Sequence, residues 1–138
     1  MALALADRLA IEDLVNLYCH NADYNPPGSM RDVFVPEAVW EVPAMDLRCE
    51  GIEAIVAFFT QSRAGFGSAR HVISNLVVQG DGDRATASCY LQVIKVDEEP
   101  KQIVSFGRYQ DELLRTAEGW RFVRRTAIAD ATPGPLPG

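Results

Sequence analysis

From Ala6 to about Ala22 the apolar residues fall at Ile11, Leu14, Val15, Tyr18 and Ala22. Spacings of three and four place them on one stripe, which predicts an α-helix with a single core-facing side. His20 lies on the opposite side. "NPPG", Asn25 to Gly28, stops this helix, because proline lacks the amide donor and restricts the residue before it. "SMRDVFV" predicts a short second helix capped by Ser29. "AVWEVP" and "LRCEG" read as a strand and its short return. "IEAIVAFFTQSRAGF" carries Ile52, Ile55, Val56 and Phe59 on one side and predicts a further helix.

From Arg70 onward the pattern changes. "RHVISNLVVQ", "RATASCYLQVIKV", "KQIVSFGRYQDELLR" and "WRFVRRTAIAD" read as strands, separated by "GDGD", "DEEPK" and "TAEG". Short turns imply an antiparallel meander, and the unusual strand lengths imply strong curvature. The predicted fold class is α+β: a cone-shaped, curved antiparallel sheet covered by the N-terminal helices. One domain over 1–132 is expected, followed by a loose Pro/Gly tail at 133–138. A cone closed by helices predicts a hollow, largely apolar interior suited to a small ligand.

Composition narrows the partners. The chain has 138 residues, enough for one core, and a formal charge of −6. Arg and Lys form no basic stripe, which argues against nucleic acid and anionic membrane. No apolar run approaches the roughly 20 residues of a bilayer span, and "MALALADRLAIED" lacks the features of a signal peptide. Cys19, Cys49 and Cys89 are odd in number and widely spaced, so neither a disulfide framework nor a zinc site is expected. These features together predict a cytoplasmic protein.

The chemistry rests on which polar residues point inward. On its strand His71 shares a face with Ile73, Asn75 and Val77, while Val72, Ser74, Leu76 and Val78 share the other. Asp23 closes the first helix, where the partial negative charge of the C-terminus makes a carboxylate unfavourable unless it is solvated or paired. Paired with His71, it would fix one tautomer and support a general base. Taken singly, a strand histidine is more often a satisfied core or edge residue, and an aspartate in "DYNPPG" is more often a turn former. Tyr18 and Tyr24 are candidate hydrogen-bond donors to substrate, Asn75 a candidate partner, and Trp40 and Phe59 candidate pocket walls. Arg108, Arg124 and Arg125 lie on strands, where arginines mostly form solvated or interface pairs. No serine carries a nucleophile signature, and "GDGD" lacks a calcium-loop pattern.

The chain resembles the nuclear-transport-factor-2-like superfamily, and within it the SnoaL-like branch that contains scytalone dehydratase and hexachlorocyclohexane dehydrochlorinase. The resemblance spans nearly the whole chain. It rests on "AIEDLVNLYCHNADY", "EGIEAIVAFF", "RHVISNL" and "GRYQDELLRTAEGWRFVRRTA", in that order and spacing. It implies a catalytic Asp23–His71 dyad that needs neither metal nor organic cofactor. It also implies a lyase, by dehydration or another β-elimination, acting on a small, mostly apolar cyclic substrate. Departures surround the dyad: Ala22 and Val42 stand where one relative has tyrosines, and Tyr18 where the other has a lysine. Isomerisation or polyketide-type cyclisation, and a non-catalytic ligand-binding or interaction domain, remain open. Apolar residues on both sides of "ATASCYLQVIKV" imply a homodimer or homotrimer.

Overall fold

In the computed structural model of the chain, residues 2–131 are described, and the expected tail at 133–138 lies outside them. Two helices, α1 (Leu5–Asp23) and α2 (Ile52–Phe66), lie on one face of a six-stranded sheet. The strands are β1 (Phe34–Val42), β2 (Leu47–Glu50), β3 (Ala69–Asp81), β4 (Arg84–Lys95), β5 (Gln102–Thr116) and β6 (Gly119–Ala131), in the order β2-β1-β6-β5-β4-β3. The expected meander is present from β3 to β6. One pairing departs from the antiparallel expectation: β1 runs parallel to β6.

The apolar stripe of α1 is buried at Ile11, Leu14, Val15 and Tyr18, and α2 buries Ile52, Ile55 and Phe59. Each fully buried large side chain contributes about 1.5–3 kcal/mol. The segment read as a second helix is a short 3₁₀ turn, Pro27–Asp32. It starts after Pro26 rather than with Ser29 as cap, and Ser29 Oγ has no hydrogen-bond partner. Phe34 and Val35 belong to β1 instead, where both are buried. Their burial against the sheet overrides a weak local preference.

Gly67 and Gly107 are among the glycines that geometry requires. Gly67 ends α2 at φ 94°, and a Cβ there would lie 2.3 Å from Asp97 Oδ2. Gly107 lets β5 approach β6 so closely that a Cβ would lie 2.0 Å from the Ile128 carbonyl oxygen.

Of the register shifts in the sheet, two decide which side chains near the site face inward. In β3 the pairing slips between Ser74 and Val77, with Asn75 at φ 57°, a left-handed conformation that asparagine tolerates better than most residues. In β6 Arg124 pairs with Glu112 and Phe122 with Leu113, which leaves Val123 as the extra residue. Regular alternation from Trp120 would send Arg124 inward. The bulge turns Arg125 in instead, and it is fully buried.

Candidate active site

Asp23 is the last residue of α1, and His71 lies near the start of β3. His71 Nδ1 is 2.6 Å from Asp23 Oδ1. The same carboxylate accepts the His71 backbone N–H, at 3.1 Å to Oδ1 and 3.0 Å to Oδ2. An ionised carboxylate can only accept, so the short contact requires the proton on Nδ1. In the neutral imidazole Nε2 then carries the free lone pair, and it has no hydrogen-bond partner among the described residues. The Asp23 side chain is 6% exposed and that of His71 16%, so the carboxylate is enclosed while the imidazole keeps an open edge.

Beside the imidazole lies an aromatic interior. The Tyr18 ring meets His71 edge-on, with centroids 6.2 Å apart, and meets Phe59 at 6.1 Å. Tyr18 Oη accepts a hydrogen bond from Trp40 Nε1 at 3.0 Å and one from Tyr109 Oη at 3.4 Å. Indole nitrogen can only donate, so the phenol oxygen of Tyr18 is committed as acceptor and its own proton is left to point elsewhere. Burial pushes the Tyr18 hydroxyl up to about 12, against the pull of Arg125, so it is a neutral donor at physiological pH.

The expected hollow is occupied in part by a side chain the sequence did not single out for the interior. The Arg125 guanidinium carbon sits 3.5 Å from the Tyr109 ring centre, 4.2 Å from Tyr18 and 4.6 Å from Phe122. Its Nε lies 3.2 Å from Asp111 Oδ1, across the β5–β6 ladder, within ion-pair distance but without hydrogen-bond alignment. Burial raises the Asp111 carboxyl to about 6, with Arg125 pulling the other way. The β6 bulge is the reason regular alternation missed this pair; no residue in "WRFVRRTA" announces it.

The candidates therefore separate. Asp23, His71, Tyr18, Trp40 and Phe59 converge on one region. Tyr24 and Asn75 do not. Tyr24 is 61% exposed at the end of α1, with the Arg70 guanidinium 4.1 Å from its ring centre. Asn75 is exposed at the β3 bulge, and beyond it Leu76 and Val78 are more buried than Val77, the reverse of regular alternation from His71. Arg124 lies with Glu41, Arg48 and Thr126 in an ion-pair and hydrogen-bond network. Three surface concavities, of about 550, 410 and 500 Å³, lie away from the dyad, the first lined by Gln79, Ser88, Gln110, Glu112, Arg124 and Thr126 among others. Among the described residues no cluster of three His, Cys, Asp or Glu side chains could hold a metal ion, and no helix is long and apolar enough to cross a membrane.

Known proteins resemble the chain along nearly its full length. An uncharacterised Mycobacterium tuberculosis protein, Rv2910c, is 26% identical over 88% of this chain and 84% of its own. A candidate aromatic ring hydroxylase from Novosphingobium aromaticivorans is 31% identical, with a TM-score of 0.81, over 94% of this chain and 92% of that one. A candidate scytalone dehydratase from the same organism is 22% identical, with a TM-score of 0.81, over 94% and 87%. A protein of unknown function with a cystatin-like fold from Nostoc punctiforme reaches a TM-score of 0.85 at 22% identity, over 99% and 100%. The SnoaL-like domain model matches residues 3–126, so the chain belongs to the SnoaL-like family and carries its NTF2-like, cystatin-like fold.

Proposed function

We propose that the protein is an acid–base enzyme in which His71 Nε2 removes a proton from carbon, and that the reaction is a dehydration or another β-elimination on a small, mostly apolar cyclic substrate. The observation that carries this reading is the 2.6 Å contact from His71 Nδ1 to an enclosed carboxylate, combined with a partnerless Nε2 on a partly open ring. The C–H electron pair forms the new double bond, and the leaving group departs from the adjacent carbon. The Asp23 carboxylate stabilises the imidazolium that forms. Tyr18 offers its proton to the departing oxygen, since its acceptor positions are taken by Trp40 and Tyr109. These side chains supply the chemistry by themselves, with no cofactor in the scheme.

A second enzymatic reading uses the same first step. If the substrate is a ketone without a leaving group, the Tyr18 hydroxyl would hold the enolate oxygen, and isomerisation or cyclisation follows. Membership of the SnoaL-like family fits all three reactions. Exposed Val72, Tyr90, Ile103 and Phe106 on the sheet favour a homo-oligomer. Three unpaired buried cysteines fit a reducing, cytoplasmic setting.

The test is a screen of cyclic hydroxyketones for loss of water, followed by His71→Ala on whichever compound turns over. The variant is expected to lose roughly 10²–10⁴-fold in kcat while still binding the compound. Unchanged turnover would remove His71 as the base.

A further inference from the structure

We infer that Arg63, on α2, is a positioning residue that sets the Asp23–His71 contact; the inference rests on the general-base reading above. The two partners come from elements far apart in the chain, so something must fix the end of α1 against the start of β3. The last carbonyls of a helix lack intrahelical donors. In α1 the His20 carbonyl is taken by the Tyr24 and Asn25 amides, at 2.8 and 3.0 Å. The next two helix carbonyls and one just beyond the helix are taken by one side chain. Arg63 Nη2 donates to the Asn21 and Ala22 carbonyls, each at 2.9 Å, and Nη1 to the Asn25 carbonyl at 2.5 Å. These carbonyls flank Asp23 on both sides. The guanidinium also brings a cation to a helix end whose partial negative charge disfavours a carboxylate.

The same helix delivers His71. α2 ends at Phe66, turns at Gly67 and enters β3 at Ala69. Lys95 Nζ bonds the Phe66 carbonyl and pairs with Asp97 at 2.9 Å, while Asp97 Oδ2 accepts the Ser68 amide at 2.9 Å. The end of α2 is thereby pinned to β4 just before His71. Arg63, less than one turn from that end, reaches back to the residues around Asp23. One helix terminus is the common frame for both halves of the dyad. Lysine has one compact charge and no planar fork, so it cannot span the same three carbonyls.

The experiment uses the full chain labelled with ¹⁵N-histidine. Only His20 and His71 contribute, so the imidazole spectrum has two sets of signals. In the unmodified protein the Nδ1 proton of His71 is expected to be hydrogen-bonded and slow to exchange. Arg63→Met is expected to lose that resonance, and Arg63→Lys to recover it in part. Ile55→Val, a core change on the same helix, is expected to lower stability and leave the resonance in place. An Arg63→Met protein with an unaltered His71 signature overturns the inference, as does equal loss in Ile55→Val. Should Arg63→Met not fold, Arg63→Lys decides: weakened protection supports the inference, and an unchanged spectrum ends it. The unmodified spectrum tests the general-base reading and the variant differences test Arg63, so the two failures are distinct.

Discussion

Asp23 serves His71 twice, once at the imidazole and once at the backbone amide, and the two services respond differently to substitution. Asp23→Asn keeps an oxygen for the amide but removes the charge that supports an imidazolium. It is expected to lower kcat roughly 10²–10⁴-fold while changing stability by no more than about 1 kcal/mol. Asp23→Ala also leaves the amide unpaired and is expected to cost a further ~1–3 kcal/mol in urea unfolding. Equal stability losses in the two variants would show that the amide bond matters little. The sequence was informative where residue type and element end coincide. Asp23 is poorly placed at a helix C-terminus unless paired, and "HNADY" and "RHVISNL" pointed to the two residues now found in contact. Tyr24 could not be sorted in the same way. Its exposure depends on how the chain leaves α1, which no spacing encodes.

Among the elements, the helices and the meander were legible because each has a clean hydrophobic period and ends at Gly or Pro. The bulges were not. At Asn75 regular alternation failed by one residue, and every position after it changed face. The left-handed backbone there sets a clear expectation for substitution. Asn75→Gly should be neutral within about 0.5 kcal/mol, whereas Asn75→Val should cost ~1–2 kcal/mol, measured by urea unfolding. A neutral valine would mean that the bulge relaxes, and the face assignments beyond it would need revision. The second bulge had the larger consequence. It exchanged Arg124 for Arg125 at the interior, and with it placed a cation beneath Tyr18.

Between its sheet and its helices the molecule encloses a polar pair together with its apolar core. Asp111 and Arg125 are both fully enclosed, which a mean apolar pattern could not reveal. The Asp111 carboxyl, raised by burial to about 6, binds its proton more tightly in the folded chain than in the unfolded one, where ~3.9 is normal. The folded state therefore holds more protons between those values. This group's contribution to stability is greatest below pH ~4, falls as pH rises towards 6, and is flat above. The stability difference between the unmodified chain and Asp111→Asn is expected to shift against the unmodified chain over that window, read from urea midpoints at several pH values. A pH-independent difference would place the Asp111 titration elsewhere. Removing Arg125 alone, as in Arg125→Met, would strand a buried carboxylate.

The proposed chemistry depends on which nitrogen of His71 holds the proton. Free imidazole favours the proton on Nε2, and exposed His20 supplies that reference inside the same molecule. In ¹⁵N-histidine spectra near neutral pH, His71 is expected to carry its proton on Nδ1, hydrogen-bonded to Asp23, with Nε2 bare. A His71 protonated on Nε2, indistinguishable from His20, would rule out the general-base role, because the nitrogen meant to take the substrate's proton would already hold one.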